Sequence, residues 1–154
     1  MICIRKAKLS DLERLMQMET MLYNFHATKD DRFKRIEITS KSAVEDEIKN
    51  LDLYFVISDE HYVFGFMKCI EKEIKETELV HKRRIIQILD LYIEEEYRNK
   101  GNGKKLIQNI ESIGKEKGFD CIEIPVYCFN ENTNRFYTAN GYEDYMVRKF
   151  KKLK

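Results

Sequence analysis

The sequence predicts an α/β fold in which one twisted, mixed β-sheet is flanked by about four helices. Two observations support this prediction. The first half of the chain contains apolar runs joined by polar turns, as in antiparallel strands, whereas the second half alternates apolar runs with helical patterns, as in strand–helix–strand units. With 154 residues, 43% of them hydrophobic, the chain can bury one core, so we expect a single domain over residues 1–154.

The predicted elements begin with a strand over residues 2–7 and a helix. The pattern Ser10-x-x-Glu13 predicts a capping box at the start of that helix, and apolar residues near one face continue it to about His26. A polar connection then leads to a short helix over residues 42–50.

Three strands are predicted next. Residues 53–58 and 62–75 are apolar runs separated by the turn residues Asp59 and Glu60, which indicates a hairpin. Residues 84–93 form the following strand, so the front half of the sheet is expected to be antiparallel.

The remaining elements are a helix over 102–117, a strand over 120–128, a helix over 131–140 and a strand over 142–150. Pro125 lies in the middle of the apolar run 120–128. Because proline has no N–H to donate, it argues against a central strand unless an edge-like position or a bulge accommodates it.

The most informative motif is Arg-x-x-Gly-x-Gly at residues 98–103, between a strand and a helix. Gly101 and Gly103 allow the backbone to approach a ligand closely, and the helix start leaves N–H groups free for an anion such as phosphate. A tight turn without a ligand fits the same residues. Lys105 and Leu106 stand where a P-loop and a dinucleotide fingerprint need other residues, so neither nucleotide motif fits.

A second motif covers residues 130–142, with an N-capping Asn, Phe-Tyr and a C-capping Gly before a final apolar segment. Together the two motifs resemble the GCN5-related N-acetyltransferase (GNAT) superfamily, whose pattern is strand, (Arg/Gln)-x-x-Gly-x-(Gly/Ala), helix, strand, Asn-x-x-Ala-x-x-Phe-Tyr-x-x-x-Gly-Phe. The resemblance is specific over residues 85–142. Thr133 replaces the usual Ala and Tyr142 the usual Phe.

The resemblance implies a GNAT-type sheet with splayed central strands. The strand ending at Ile93 and the strand containing Pro125 would separate at their C-terminal ends, and the opening would take the pantetheine arm of coenzyme A. A proline near that fork would leave few sheet hydrogen bonds unmade, because the two strands are no longer paired there. The implied activity is transfer of an acetyl group from acetyl-CoA to a primary amine by direct attack in a ternary complex.

The resemblance also assigns contacts to acetyl-CoA. Main-chain groups of Leu91, Tyr92 and Ile93 would bind the pantetheine amides and the acetyl carbonyl, and Asn130 would approach the pantetheine or serve only as a helix cap. The residues that would hold the pyrophosphate are Arg98, Asn99, Lys100, Gly101, Asn102, Gly103 and Lys104.

Tyr137 resembles the family's general acid, which lies beside the coenzyme sulfur and protonates the departing thiolate. A phenol with a pKa near 10 would give its proton to a thiol with a pKa near 8.5 at a cost of about 2 kcal/mol, which stabilisation of the thiolate in a dry site can offset. Core packing beside Phe136 is the alternative role.

Asp90 is the best candidate for the base. An amine with a pKa near 10 is only about a thousandth neutral at pH 7, so its proton must be accepted. Asp90 is the carboxylate inside the apolar run 85–93, where it would act as the base, bind a cationic acceptor or form a structural ion pair. The spermidine/spermine acetyltransferases, which have a similar segment, carry a catalytic Glu where this chain has Leu89. The segment 23–33 resembles a helix-then-loop stretch that covers the acceptor pocket in many small acetyltransferases. His26 in that segment would contact the acceptor, relay a proton or merely end its helix.

Composition narrows the partners further. The net charge of +1 gives no general attraction to nucleic acid or membranes, and the N-terminus lacks an apolar signal-type core, so we expect a cytoplasmic protein. The four cysteines form no Cys-x-x-Cys pair, so no metal is implied. The aromatic segment 142–150 predicts a homodimer beside the last strand.

A small-molecule amine is the preferred acceptor, because no recognition module accompanies the predicted domain. A protein N-terminus or lysine is the second possibility. A CoA-binding regulatory module without turnover is the third, although the presence of Tyr137 argues against it.

Overall fold

The computed structural model describes residues 1–38 and 40–154. Its elements, apart from two short 3₁₀ turns at Leu9–Asp11 and Glu95–Tyr97, are β1 (Cys3–Lys6), α1 (Leu12–Lys29), α2 (Lys41–Asn50), β2 (Leu53–Ser58), β3 (Val63–Ile74), β4 (Arg83–Ile93), α3 (Asn102–Glu116), β5 (Cys121–Glu123) and α4 (Glu131–Ala139).

The five strands form one mixed sheet in the order β1-β2-β3-β4-β5. Strands β1 to β4 pair antiparallel with one another, and β5 is parallel to β4. This arrangement confirms the predicted α/β fold and the predicted β2–β3 hairpin. None of the helices in the described ranges is long and apolar enough to cross a membrane.

Helices cover both faces of the sheet. On one face, α3 and α4 bury Leu106, Ile110 and Tyr137 against the strands. On the other face, α1 and α2 pack Leu15 and Val44 against a second set of strand residues. The fully buried strand β2 contributes alternate side chains to both layers, which is the period-2 geometry expected of a central strand.

The predicted capping box at Ser10 is wrong. Asp11 is the N-cap residue of α1, and no side-chain bond caps that helix. The Asp11 carboxylate instead accepts hydrogen bonds from the Arg5 guanidinium at 2.7 and 2.8 Å and from the Lys8 N–H at 2.8 Å. A buried carboxylate with three donors anchors the β1–α1 turn, and α1 runs to Lys29, three residues beyond the predicted end at His26.

Two strand predictions also fail at the C-terminal side. The apolar run 120–128 forms a strand only over Cys121–Glu123, two residues before Pro125. Residues 142–150 form no strand, and several of their apolar side chains, such as Tyr145 and Phe150, are mostly exposed. Since β5 is so short, it offers the chain terminus little edge to pair with.

Candidate functional site

The sheet opens between β4 and β5. These strands pair at Ile85–Cys121, Ile86–Ile122 and Gln87–Glu123, and no further pairs join them in the described ranges. The β5 chain then leaves the sheet through Pro125, which could not donate to a ladder there. Residues 88–93 of β4 therefore have β3 on one side and, within the part of the chain that the structure describes, no strand on the other.

A β-bulge in β4 lies at this opening. Lys68 of β3 pairs with Asp90 and the next residue pairs with Ile88, so Leu89 is the extra residue. Before the bulge, Ile88 points into the α3–α4 core layer, whereas after it Leu91 does. The bulge thereby turns Leu89, which is 38% exposed, and Asp90 toward the opening.

A cleft of about 330 Å³ occupies the opening. Five of the predicted site residues line it together, namely His26, Asp90, Leu91, Asn130 and Tyr137. Tyr92 and Ile93 do not line it, because their side chains belong to the core layers on opposite faces of the sheet. A contact of those two residues with a ligand would have to use main-chain groups.

The Asp90 carboxylate has two polar partners. Its Oδ2 atom accepts a hydrogen bond from the Tyr23 hydroxyl at 3.0 Å and lies 3.4 Å from the Lys68 ammonium nitrogen. The Asp90 carboxylate is thus not free. Its ion pair with Lys68 is not isolated either, since Lys68 also contacts other acidic groups.

Lys68 is the centre of a buried charge network, with only 4% of its side chain exposed. Its Nζ atom lies 3.2 Å from Glu19 and 2.9 Å from Glu47, and Glu19 also accepts from the Tyr54 hydroxyl at 2.6 Å. Burial disfavours the charge on Lys68, but the surrounding acidic groups outweigh it and raise its pKa. Burial raises the pKa of Glu19 despite its contact with Lys68.

Tyr137 lies on the α4 side of the cleft. It is 4% exposed and packs against the rings of Phe136 and Tyr142, with centroid distances of 5.1 and 5.2 Å. Its hydroxyl takes part in none of the hydrogen bonds found within the described ranges. Burial raises the pKa of Tyr137, with further contributions from Tyr142, Cys69 and Asp90, so the phenol is protonated at neutral pH.

The 98–104 loop leads into α3 and does not line the cleft. Gly101 is the N-cap residue with φ of 76°, no side chain caps the helix, and Asn99 also has a positive φ of 58°. The Arg98 Nε donates to the Ile93 carbonyl at 2.7 Å, and the Asn102 amide donates to the Tyr97 carbonyl at 2.9 Å. The loop is therefore fixed by side chains while the first N–H groups of α3 lack a side-chain acceptor, which suits an anion.

Gly103 has a packing role in addition to any ligand contact. A Cβ built there would lie 3.1 Å from the Phe136 ring. The residue is therefore small because α3 approaches α4 closely. At Gly101, by contrast, an added Cβ meets no atom within 4 Å.

Aromatic rings border the outer end of the cleft. The rings of His26, Phe33 and Tyr127 line it, with centroid distances of 5.3 Å for His26–Phe33 and 4.9 Å for Phe33–Tyr127. We call these three residues the aromatic rim. The His26 Nδ1 lies 3.1 Å from the Leu22 carbonyl, so the ring is positioned by its own helix.

Asn130 is the N-cap residue of α4, where its Oδ1 accepts from the Thr133 N–H at 3.3 Å. Both residues also line the cleft. The cap predicted from the sequence is confirmed.

The sequence predicted no individual role for Tyr23, Lys68, Phe33 or Tyr127, although Tyr23 and Phe33 lie in the segment expected to cover the acceptor pocket. Lys68 carried one usable signal, since it is a charged residue inside a run that is otherwise buried in β3. Phe33 and Tyr127 follow α1 and β5 in irregular segments, and only the fold brings them together.

Comparisons with known proteins agree with this geometry. Residues 12–142 match the acetyltransferase (GNAT) family. A thialysine N-epsilon-acetyltransferase of Bos taurus is 32% identical over 63 residues, which are 41% of this chain and 37% of the length of that relative.

Solved structures show the same fold. The tetramutant of the BH1408 protein from Bacillus halodurans has a TM-score of 0.91 and 25% identity, covering 98% of this chain and 99% of that one. AAC(6')-Iy in complex with the bisubstrate analog CoA-S-monomethyl-acetylneamine has a TM-score of 0.74 and 17% identity, covering 99% and 98%. An aminoglycoside acetyltransferase from an uncultured soil metagenomic sample has a TM-score of 0.72 and 22% identity, covering 99% and 97%.

The family match extends over most of the residues and includes the splayed strands, the glycine loop and the helix that carries Tyr137. This chain belongs to the acetyltransferase (GNAT) family.

Proposed function

We propose that the protein transfers the acetyl group of acetyl-CoA to a primary amine of a small molecule. The observation that supports this most strongly is the cleft between β4 and β5. Its lining includes the four predicted site residues Asp90, Leu91, Asn130 and Tyr137. GNAT acetyltransferases use acetyl-CoA, and one structural neighbour contains a CoA-based bisubstrate analog.

The residues present fit the coenzyme. The free edge of β4 offers main-chain groups at Leu91 to Ile93 to the pantetheine amides, as an added strand would. The N–H groups at Gly101, Asn102 and Gly103 would bind the pyrophosphate, with Lys100 and Lys104 adding positive charge. Acetyl-CoA supplies the activated acetyl thioester when bound.

Tyr137 and Asp90 would handle the protons. The raised pKa of Tyr137 keeps the phenol protonated, so its proton is available to the leaving sulfur. Asp90, held by Tyr23 and Lys68, would accept the amine proton or orient the ammonium ion before it loses that proton. Burial limits access of water to Tyr137, whereas the bulge at Leu89 turns Asp90 toward the cleft.

A small amine is the preferred acceptor because the cleft has a volume of only about 330 Å³ and is bordered by the aromatic rim. The aminoglycoside and thialysine acetyltransferases among the similar proteins are named for small amines as well. A protein N-terminus or lysine, and a CoA-binding module without turnover, are the competing possibilities. We also propose that the protein is cytoplasmic.

Incubation with acetyl-CoA and a panel of small amines, lysine peptides and N-terminal peptides tests this function. We expect thiol release that depends on a small amine, with an acetylated product in mass spectra. Calorimetry should show binding of CoA but not of NAD. If neither CoA nor acetyl-CoA binds at millimolar concentration, the proposal is wrong, and binding without turnover on any amine would favour the regulatory module.

The change Asp90→Asn separates its two possible roles. If the carboxylate accepts the proton, kcat falls while KM for the amine changes little. If it only holds the cation, KM rises by roughly tenfold to a hundredfold, the loss expected for a charge-assisted hydrogen bond, and kcat is kept. A variant with unchanged kinetics and lower stability would make Asp90 a structural partner of Lys68.

A further inference from the structure

The charges that line the cleft restrict the acceptor more than its volume does. Asp90 is the only acidic residue of the lining within the described ranges, and neither Lys nor Arg belongs to it. His26 is the only other side chain there that can carry charge near neutral pH. The cleft therefore contains a negative charge that can pair with a cationic ligand. It contains no permanent positive charge that could pair with an anionic one.

The cations near the cleft already have partners, and Arg32, whose charge acts on Tyr127, forms an ion pair with Asp30. Lys68 is the β3 partner of Asp90, and Glu19 and Glu47 also surround its ammonium group. Arg98 donates to the Ile93 carbonyl and lies over the Tyr92 ring. None of these three cations lines the cleft, so an anionic group beside the reacting amine would be desolvated without a Lys or Arg partner.

The aromatic rim favours the same kind of ligand. Phe33 and Tyr127 contact each other edge to face, and Tyr127 also stacks on Phe129 with centroids 5.3 Å apart. Aromatic faces attract ammonium groups and pack against methylene chains. They provide no hydrogen-bond donor suited to a carboxylate or a phosphate apart from the Tyr127 hydroxyl and the His26 ring.

We propose that the acceptor is a cationic amine without an anionic group close to it. Amines on neutral or polycationic stems are therefore accepted, whereas amino-acid α-amines and phosphorylated amines are rejected. This inference rests on the proposed function and specifies its substrate class. Asp90 selects the charge, and the rim formed by His26, Phe33 and Tyr127 packs against the stem.

Three six-carbon amines test the proposal by calorimetric binding to the full chain, with and without CoA. These are hexylamine, 2-aminohexanamide and 2-aminohexanoate, compared at about pH 6, where all three amines are cationic. The last two differ only in a neutral amide against a carboxylate. We expect the carboxylate compound to bind at least roughly tenfold more weakly than the amide.

A positive charge placed at the rim should weaken or cancel this preference. Tyr127 is 47% exposed, so its replacement does not disturb the core. Tyr127→Arg should strengthen binding of 2-aminohexanoate by roughly tenfold relative to Tyr127→Phe, the matched neutral control, without strengthening that of hexylamine.

The two proposals fail in different ways. Equal or tighter binding of 2-aminohexanoate than of 2-aminohexanamide would overturn the substrate class even if amines are acetylated. The expected binding order without any acetylated product would support the class and count against the transferase function.

Discussion

The two edges of β4 differ in how completely they are paired. Toward β3, ten residue pairs run from Gly65–Ile93 to Ile74–Arg83 with one bulge, whereas toward β5 only three pairs form. Lys68 holds Glu19 and Glu47 beside the paired edge, and the open edge borders the cleft. One strand is thus fully paired along one side and leaves main-chain groups unpaired along the other, where we propose that the coenzyme binds.

Lys68→Met tests the paired edge and should have the largest effect. Removing the ammonium group leaves Glu19 buried without its cation, which we expect to lower the free energy of unfolding by about 3–5 kcal/mol. Urea denaturation measures this change.

The double change Glu19→Gln with Lys68→Met removes both charges and should recover part of the stability. Lys82→Met, which removes an exposed partner of Glu73, serves as the control and should change little. A single Lys68→Met variant as stable as the control would show that the network does not stabilise the fold.

Tyr137→Phe tests the open edge. The ring and its packing remain, and only the hydroxyl is lost, so we expect kcat to fall by roughly tenfold to a thousandfold while CoA affinity stays within a few-fold. Because burial raises the pKa of Tyr137, its ionisation should cause no loss of activity as pH rises toward 10.

Turnover must be measured where the chemical step limits the rate. Tyr142→Phe is a useful control, since it removes a second buried hydroxyl that has no hydrogen-bond partner in the described ranges. If both variants retain wild-type kcat, Tyr137 is a packing residue and the open edge does not supply the acid.

The proposed pyrophosphate site in the 98–104 loop can be tested at Gly101, where a side chain would enter open space. Gly101→Asp and Gly101→Asn are nearly isosteric, and both residues tolerate the left-handed conformation that φ of 76° requires. Asp places a negative charge at the start of α3, so CoA should bind at least about tenfold more weakly to it than to the Asn variant. Equal affinities by calorimetry would argue against an anion site at this helix.

The sequence predicted the fold best where hydrophobic periodicity and motif spacing were local. Strands β2, β3 and β4 and the helix of Gly103 were found within a few residues of their bounds. The bulge at Leu89 and the contact of Phe33 with Tyr127 depend on neighbours far away in sequence, and no local pattern indicates them.

Some residues of the candidate site were predicted and others were missed for the same reason. Asp90, Asn130 and Tyr137 lie on elements whose motifs were visible, and they meet in the cleft. Tyr23 lies on a helix whose apolar face suggested only packing, and its hydrogen bond to Asp90 appears only when α1 crosses β4. The strand expected at 142–150 failed because apolar residues alone do not supply a partner edge.

The smallest effect on stability is expected from the C-terminal tail, residues 145–154. Its apolar side chains are largely exposed, from Val147 at 62% to Leu153 at 88%, and its ionic contact between Lys152 and Asp31 is at the surface. Although the predicted strand is absent, these side chains suit a contact between two copies, so the homodimer stays a prediction. Deleting the tail should change the melting temperature of the single chain by less than about 4 °C.

The same deletion should halve the mass measured by light scattering at micromolar concentration, because the apolar contact is lost. Replacing Lys149, Lys151 and Lys152 by Ala keeps the apolar side chains and should preserve the dimer. A full-length chain that is monomeric, or a truncated chain that is still dimeric, would contradict the prediction. The first outcome would leave the exposed tail without a partner of its own kind, and the second would move the interface to another surface of the molecule.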